Sequence, residues 1–339
     1  MEWRWNRKVT TFQTTNGVVF EVPHFTIRSL QRNTILFYSA AKRLVFDRPN
    51  RGISQGMKEQ MELSKIVENV NTQSRTIYFI RHGQSMWNKT FDRRSSLLSI
   101  LWRIIRLLVT ELSFAPTNDS FFYDSPLSMN GINQALELSK ELSNSESPKC
   151  ADVNIFRAES GQRCALFTSN LRRAQSTLML ALQSRLNHTG EVIEVCNELE
   201  ELVPHPDCVS LSTTLNSSTI PFLEAMMLPD SAMQYSHFLH RAAGPGLSHL
   251  SAYKKMLIFN DRIFNQPEEC IIVCGHSAWL MNYLTCFLPQ YSHEIEYRYK
   301  KIGNLDTLRF ELVRRELGNG EISYIVDPNS VKLVYKNTV

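Results

Sequence analysis

Residues 77–88 read Ile-Tyr-Phe-Ile-Arg-His-Gly-Gln-Ser-Met-Trp-Asn. Ile77 to Ile80 make a short apolar run of β-branched and aromatic residues, long enough for one buried strand. The run stops at Arg81-His82-Gly83. A strand ending in a cation, an imidazole and a glycine presents a positive corner whose backbone a ligand can approach closely, because glycine has no Cβ. Arg81 carries the planar fork that matches phosphate oxygens. His82 has the chemistry of a base, a nucleophile or a metal ligand.

Working outward, the arrangement recurs. Cys270 to Cys274 is a second β-branched run; it ends in Gly275-His276, and helix-forming residues follow. Ala165 to Ser169 reads as a strand that runs into Asn170-Leu171-Arg172-Arg173-Ala174-Gln175-Ser176-Thr177, with a helix expected over 174–186. Arg172 projects about 100° round that helix from Arg173, so it is expected in solvent or paired elsewhere. Val192 to Cys196 is a further strand candidate, followed by Asn197-Glu198-Leu199-Glu200-Glu201-Leu202. Three glutamates within four positions repel one another, which would raise the pKa of whichever is buried. Between the first and third of these segments lies Asp124-Ser-Pro-Leu-Ser-Met-Asn-Gly-Ile-Asn-Gln-Ala135, where Ser128 suits an N-cap and Ile132 to Leu142 continue as a helix.

The string Arg-His-Gly-x-Ser-x-x-Asn (Arg81, His82, Gly83, Ser85, Asn88) resembles the signature of the histidine phosphatase superfamily, which includes phosphoglycerate mutases and acid phosphatases. Asp-x-Pro-Leu-Ser-x-x-Gly-x-x-Gln-Ala, Ser-x-Leu-x-Arg-Ala-x-x-Thr and Val-x-Gly-His-Ser are similar to its later landmarks and occur in the family's order, over about residues 76–310. The resemblance implies an α/β fold: a three-layer sandwich with a mixed, mostly parallel central sheet flanked by helices, phosphoglycerate mutase-like. It implies that His82 is the nucleophile and Glu201 the proton donor, with Glu198 and Glu200 as alternatives for the acid. Arg81, Asn88, Arg173 and His276 would hold the phosphoryl group. Asn304, ahead of an apolar run at Leu305 to Val313, matches an Asn the family often has there. The implied activity is metal-independent hydrolysis of a small phosphomonoester through a phosphohistidine, with no cofactor. A donor with that task needs a pKa nearer 7 than an exposed glutamate has. Phosphoglycerate mutase-type transfer and a catalytically silent binding or scaffold protein of the same fold stand as alternatives. The mutases continue after the acid with Arg and then His-Tyr-Gly; here the chain reads Leu-Val-Pro-His-Pro-Asp-Cys over 202–208, which argues against mutase activity.

Composition sets broader bounds. The chain has 339 residues, 43% hydrophobic and 21% charged, with a net charge of +4. These values describe an ordinary globular protein with a sizeable core, suited to an anionic ligand, and do not call for nucleic acid. Seven cysteines are scattered, with no Cys-x-x-Cys pair, and are read as free thiols of a reducing compartment. His205 and Cys208 lack a second ligand pair and make a poor zinc site. The first residues lack the apolar core of a secretory signal, and a sequon falls on Asn88 itself. These features favour a cytosolic protein.

Residues 1–72 are expected as an extension of unknown role before a catalytic domain over 73–339. Within the extension, Val18 to Pro23 suggests a strand, 35–46 a helix, 48–60 a linker and 57–70 a helix. Residues 143–163 read as a surface loop, and 232–260 as two helices broken around Gly244-Pro245-Gly246. Residues 91–123 form an insertion between two of the landmarks. Its segment 97–112 is strongly apolar, with Ser99, Arg103, Arg106 and Thr110 on one stripe. At 16 residues with two arginines it is a poor transmembrane span. Three readings stand: a helix packed on the domain or lidding the site, a peripheral membrane contact, or a partner interface. The substrate and the oligomeric state are not written in the sequence.

Overall fold

The computed structural model describes residues 3–6, 9–13, 19–23, 27–45, 50–66, 69–91, 96–114, 119–143, 152–158, 161, 163–211, 238–241, 250–290 and 296–338. In chain order the elements begin with strands β1 (Trp3–Asn6), β2 (Val9–Gln13) and β3 (Val19–Pro23), then helices α1 (Ile27–Val45) and α2 (Ile53–Ser64). Strand β4 (Asn69–Arg81) follows, then helices α3 (Met86–Thr90), α4 (Leu97–Phe114), α5 (Met129–Ser143) and α6 (Val153–Arg157). Next come β5 (Cys164–Ser169), α7 (Arg172–Ala181), α8 (Gln183–Thr189), β6 (Ile193–Cys196) and β7 (Leu239–Arg241). The chain closes with α9 (Ala252–Phe264), β8 (Cys270–Gly275), α10 (Ser277–Phe287), β9 (Thr307–Leu317), β10 (Ile322–Val326) and β11 (Lys332–Tyr335).

Two compact units emerge. The larger takes Arg48–Gln84, Leu127–Pro204 and Pro229–Val339; the smaller takes Met1–Asp47, Ser85–Pro126 and His205–Leu228. The extension expected over 1–72 is thus divided between them, and the insertion at 91–123 lies wholly in the smaller.

The larger unit is built on a mixed sheet in the order β10-β9-β4-β8-β5-β6-β7, with β11 added beside β9. Strands β4, β8, β5, β6 and β7 run parallel to their neighbours, while β9 is antiparallel to β4, β10 and β11. At its centre, over 77–80 of β4 and 270–275 of β8, the sheet is apolar and buried on both faces, as a sheet covered by helices requires. Successive β4 residues point to opposite faces. Ile77 and Phe79 join a core with Val273, α9 (Met256, Phe259) and α10 (Trp279, Tyr283). Tyr78 points the other way, onto Phe156 of α6, with ring centroids 5.2 Å apart. The α/β sandwich expected from the sequence is what forms.

Three local expectations need correction. Residues 48–60 are not a linker: α2 begins at Ile53, overlapping the helix expected over 57–70, and a Cβ on Gly56 in its interior would collide with the Tyr253 ring. The loop expected over 143–163 contains the single-turn helix α6. Of the two helices expected over 232–260, the described residues hold strand β7 and the start of α9; 231–237 and 242–249 lie outside them. The turn at Gly318-Asn319-Gly320 joins β9 to β10, and Gly320 has the positive φ (81°) such a turn demands.

The smaller unit contains an antiparallel sheet β1-β2-β3 and helices α1, α3 and α4. Its described core is slight: Leu36 and Ala40 of α1 against Val209 and Leu211, with Tyr123 packed alongside.

Candidate active site

Four neighbouring parallel strands, β4, β8, β5 and β6, each release the chain at their carboxyl ends into one of the residues singled out in the sequence. Helix α10 after β8 packs on the Phe79 face. Helix α7 after β5 packs against α5, which adjoins α6 on the Tyr78 face. Where successive connections leave a sheet on opposite faces, the strand ends open a crevice.

His82 stands at the end of β4 and is 3% exposed. Its backbone N–H donates to Gly275 O at 3.0 Å, and its carbonyl accepts from Asn304 Nδ2 at 2.7 Å. Nδ1 lies 2.7 Å from Gly83 O. A carbonyl only accepts, so Nδ1 carries the proton and Nε2 keeps its lone pair. Burial, with Arg173, His276 and Arg81 close by, holds the pKa of His82 well below its ordinary value. The ring is therefore neutral at pH 7.

The turn that presents His82 is fixed by the Asp-x-Pro-Leu-Ser-x-x-Gly-x-x-Gln segment. Ser128 Oγ caps α5 by accepting from Gly131 N and donates to Gln84 Oε1 at 2.8 Å; Gln134 Oε1 accepts from Gln84 N at 3.0 Å. A Cβ on Gly131 would sit 2.2 Å from Gln84 O, so only glycine lets the helix start approach the loop this closely. Gly83 N donates to Thr177 Oγ1 at 3.0 Å, which ties the loop to α7.

His276 is fully buried at the end of β8, and its ring centroid lies 5.0 Å from that of His82. Its Nε2 meets Ser169 Oγ at 2.8 Å and its Nδ1 lies 3.1 Å from Glu201 Oε2. Arg173, 2% exposed, brings Nη2 to 3.9 Å from the same oxygen. Arg81 gives one Nη1–H to Ile302 O at 2.6 Å, while its buried Nε has no partner among the described residues. His82, Arg81, Arg173, Glu201 and His276 thus meet in the larger unit. Arg172 is also buried, rather than solvated. Asn88 belongs to the smaller unit, where Ser85 and Asn88 form a capping box at the start of α3.

Of the three glutamates, only Glu201 faces His276 and Arg173. Glu198 accepts from Arg262 Nη2 at 2.7 Å, and Glu200 is ion-paired with Lys255. The expected rise in the acid's pKa is overturned for the same reason. Burial alone would raise it, but His276, Arg173 and Arg81 outweigh burial and hold Glu201 down at about 2. The carboxylates that were to repel it are neutralised elsewhere.

Donor atoms of His82, Glu201 and His276 lie within 4.8 Å of one another, a set that two imidazoles and a carboxylate could offer to a zinc-like ion. The adjacent guanidinium groups oppose a dication and favour an anion. His205 tilts against Trp87 in the smaller unit, ring centroids 6.0 Å apart, and its Nδ1 lies 4.0 Å from Asp207 Oδ1. Ser169, Thr177 and Asn304 position the histidines; each stands in a quoted motif or beside one, but no local signal says what it touches.

No protein-family model matches the chain, and no curated protein matches it in sequence. Solved structures with some likeness include a mycobacterial glucosyl-3-phosphoglycerate phosphatase complexed with VO3, at 13% identity, covering 78% of this chain and 100% of that one, with a TM-score of 0.37. A phosphoserine phosphatase mutant from Entamoeba histolytica, in complex with phosphoserine, shares 15% identity over 69% of this chain and 89% of its own, with a TM-score of 0.33. The ecdysone phosphate phosphatase of Bombix mori, in complex with tungstate, shares 12% identity over 75% of this chain and 93% of its own, with a TM-score of 0.35.

Proposed function

We propose that this chain is a histidine phosphatase: a hydrolase of small phosphomonoesters that works through a phosphohistidine on His82. The observation that carries the reading is the state of that imidazole. Nδ1 is pinned to Gly83 O, the ring is neutral, and the bare Nε2 shares its surroundings with the buried Arg173 and the half-buried Arg81. A neutral nucleophile among fixed cations is what attack on an anionic phosphorus requires.

The steps follow from the side chains of the larger unit. A phosphate ester arrives as its monoanion, with one oxygen still protonated. It lies against Arg81, Arg173 and His276, which stabilise the oxygens as charge shifts among them. Nε2 of His82 attacks phosphorus, the P–O bond to the leaving group breaks, and the leaving oxygen takes a proton from Glu201. Water then gives a proton to the Glu201 carboxylate and attacks phosphorus. The P–N bond breaks, inorganic phosphate departs, and Nε2 recovers its lone pair.

Glu201 is ionised before substrate binds, so the proton it donates must enter with the substrate. The ester's monoanion supplies one. Its negative oxygens also offset Arg173 and Arg81, which together with His276 hold the carboxyl pKa low.

The test is hydrolysis of an aryl phosphate in the presence of chelator, with acid-labile phosphate labelling of the protein. Both signals should be present in the wild type and absent in His82→Ala. Labelling that persists in His82→Ala would overturn the reading. Primer-dependent isomerisation of 3-phosphoglycerate without hydrolysis would move the chain to mutase-type transfer.

A further inference from the structure

We propose that helix α4 seats the protein on an anionic lipid bilayer, lying flat among the headgroups. This inference does not depend on the phosphatase reading. At 100° per residue, the helix has three distinct sides. Ile100, Ile104 and Leu107 are half-buried or buried on one side. Ser99, Arg103, Arg106 and Thr110 line the next. The remaining arc of about 140° carries Leu97, Leu98, Leu101, Trp102, Ile105, Leu108, Val109 and Leu112, and all eight are exposed, from 45% at Ile105 to 84% at Leu97. Isolated exposed hydrophobics are ordinary, but a continuous helical face of eight is not.

The charges say what covers it. Glu111, the helix's acid, is turned inward and spent: its carboxylate accepts from Ser120 Oγ at 2.7 Å and from the N–H groups of Phe121 and Phe122 at 2.8 and 3.1 Å. The basic residues stay outside. Arg106 and Lys89 are exposed, and Arg103 gives an N–H to Lys89 O at 2.9 Å along the exposed edge. Over residues 89–112, five cations (Lys89, Arg93, Arg94, Arg103, Arg106) against two anions (Asp92, Glu111) leave +3. An apolar face bordered by arginine, with Trp102 at the margin beside Arg106, is the pattern of an interfacial helix on anionic lipid. A second copy of the chain fits less well, because two-fold packing of this face would bring arginine edges of like charge together. No described helix is long and apolar enough to cross a membrane, so α4 lies on the bilayer and does not span it.

The experiment is flotation of the full chain with vesicles of phosphatidylserine and phosphatidylcholine, and with phosphatidylcholine alone. Binding should require the anionic lipid. Leu101→Asp with Leu108→Asp should abolish it, and Arg103→Glu with Arg106→Glu should weaken it about tenfold or more. All four positions are solvent-facing or at an edge, so unchanged circular dichroism will certify the fold. Failure to float, or flotation indifferent to both pairs of changes, would sink the proposal. So would a dimer seen by sedimentation without lipid that the Leu101 and Leu108 changes split, since that assigns the face to a second copy.

Discussion

Glu201 has an imidazole and a guanidinium for neighbours, and this decides its chemistry. In sequence it follows two glutamates; in space it faces His276 at 3.1 Å and Arg173 at 3.9 Å. The sequence supplied three candidates for the acid and the wrong electrostatics, because Arg262 and Lys255, which neutralise Glu198 and Glu200, lie 64 and 55 residues away. Two expectations follow for this side chain. Glu201→Gln keeps the shape but cannot give up a proton, so hydrolysis of an alkyl phosphate should fall about 10²–10⁴-fold. Hydrolysis of a nitrophenyl phosphate, whose leaving oxygen needs no proton, should fall far less. Equal loss on both esters would mean that Glu201 positions the phosphate and donates nothing. The pH profile should report the substrate. As pH rises above the ester's second pKa of about 6, the monoanion that brings the proton disappears while Glu201 stays ionised. Wild-type kcat/KM for the alkyl ester should therefore decline on the alkaline side, and a flat profile from pH 5 to 8 would refute the account.

Elements whose apolar run abuts a motif were legible: β4, β5, β6 and β8 each end where a distinctive residue begins, so one reading fixed both strand and site. Helix α2 was legible only in part: the helix expected over 57–70 overlaps it, but Pro49, Gly52 and Gly56 signal a linker across its start. Gly56 is a packing glycine: a Cβ there would lie 2.3 Å from Tyr253 Cδ2 and 2.4 Å from Cγ. The ring cannot swing aside freely, since its hydroxyl accepts from Gln60 Nε2 at 2.8 Å and donates to Glu59 Oε1 at 3.2 Å. Two effects compete in Gly56→Ala. Helix propensity gains about 1 kcal/mol, while overpacking α2 against α9 costs about 1–3 kcal/mol. The overlap is with ring carbons held at both ends, so it should win. Urea denaturation should show a net loss of up to about 2 kcal/mol with an unchanged m-value. A stabilised variant would mean that α2 and α9 are not held this closely. Ser169, Thr177 and Asn304 were half-legible for a related reason: their positions are local, but their partners His276, Gly83 and His82 are not.

At the scale of the whole molecule, a pocket that keeps a histidine neutral and a glutamate ionised makes folding depend on pH and on anions. His82 titrates well below its ordinary value in the folded chain and near 6.5 when unfolded. Below that pH the unfolded chain binds a proton that the native one refuses, so stability is lost as pH falls. Glu201 acts with the same sign in a lower window: its contribution is whole above the unfolded carboxyl value and is lost as pH falls through about 2. Of these two groups, only His82 acts between pH 7 and 5. The melting temperature should therefore drop over that interval, and should drop less in His82→Asn, which has no proton to take up. An anion works in the opposite direction. Inorganic phosphate or vanadate bound between Arg81 and Arg173 stabilises the native state by about 2.7 kcal/mol at a hundred times its Kd. The melting temperature should rise with vanadate in the wild type and stay put in Arg173→Ala. A rise of equal size in that variant would place the anion somewhere other than beside His82.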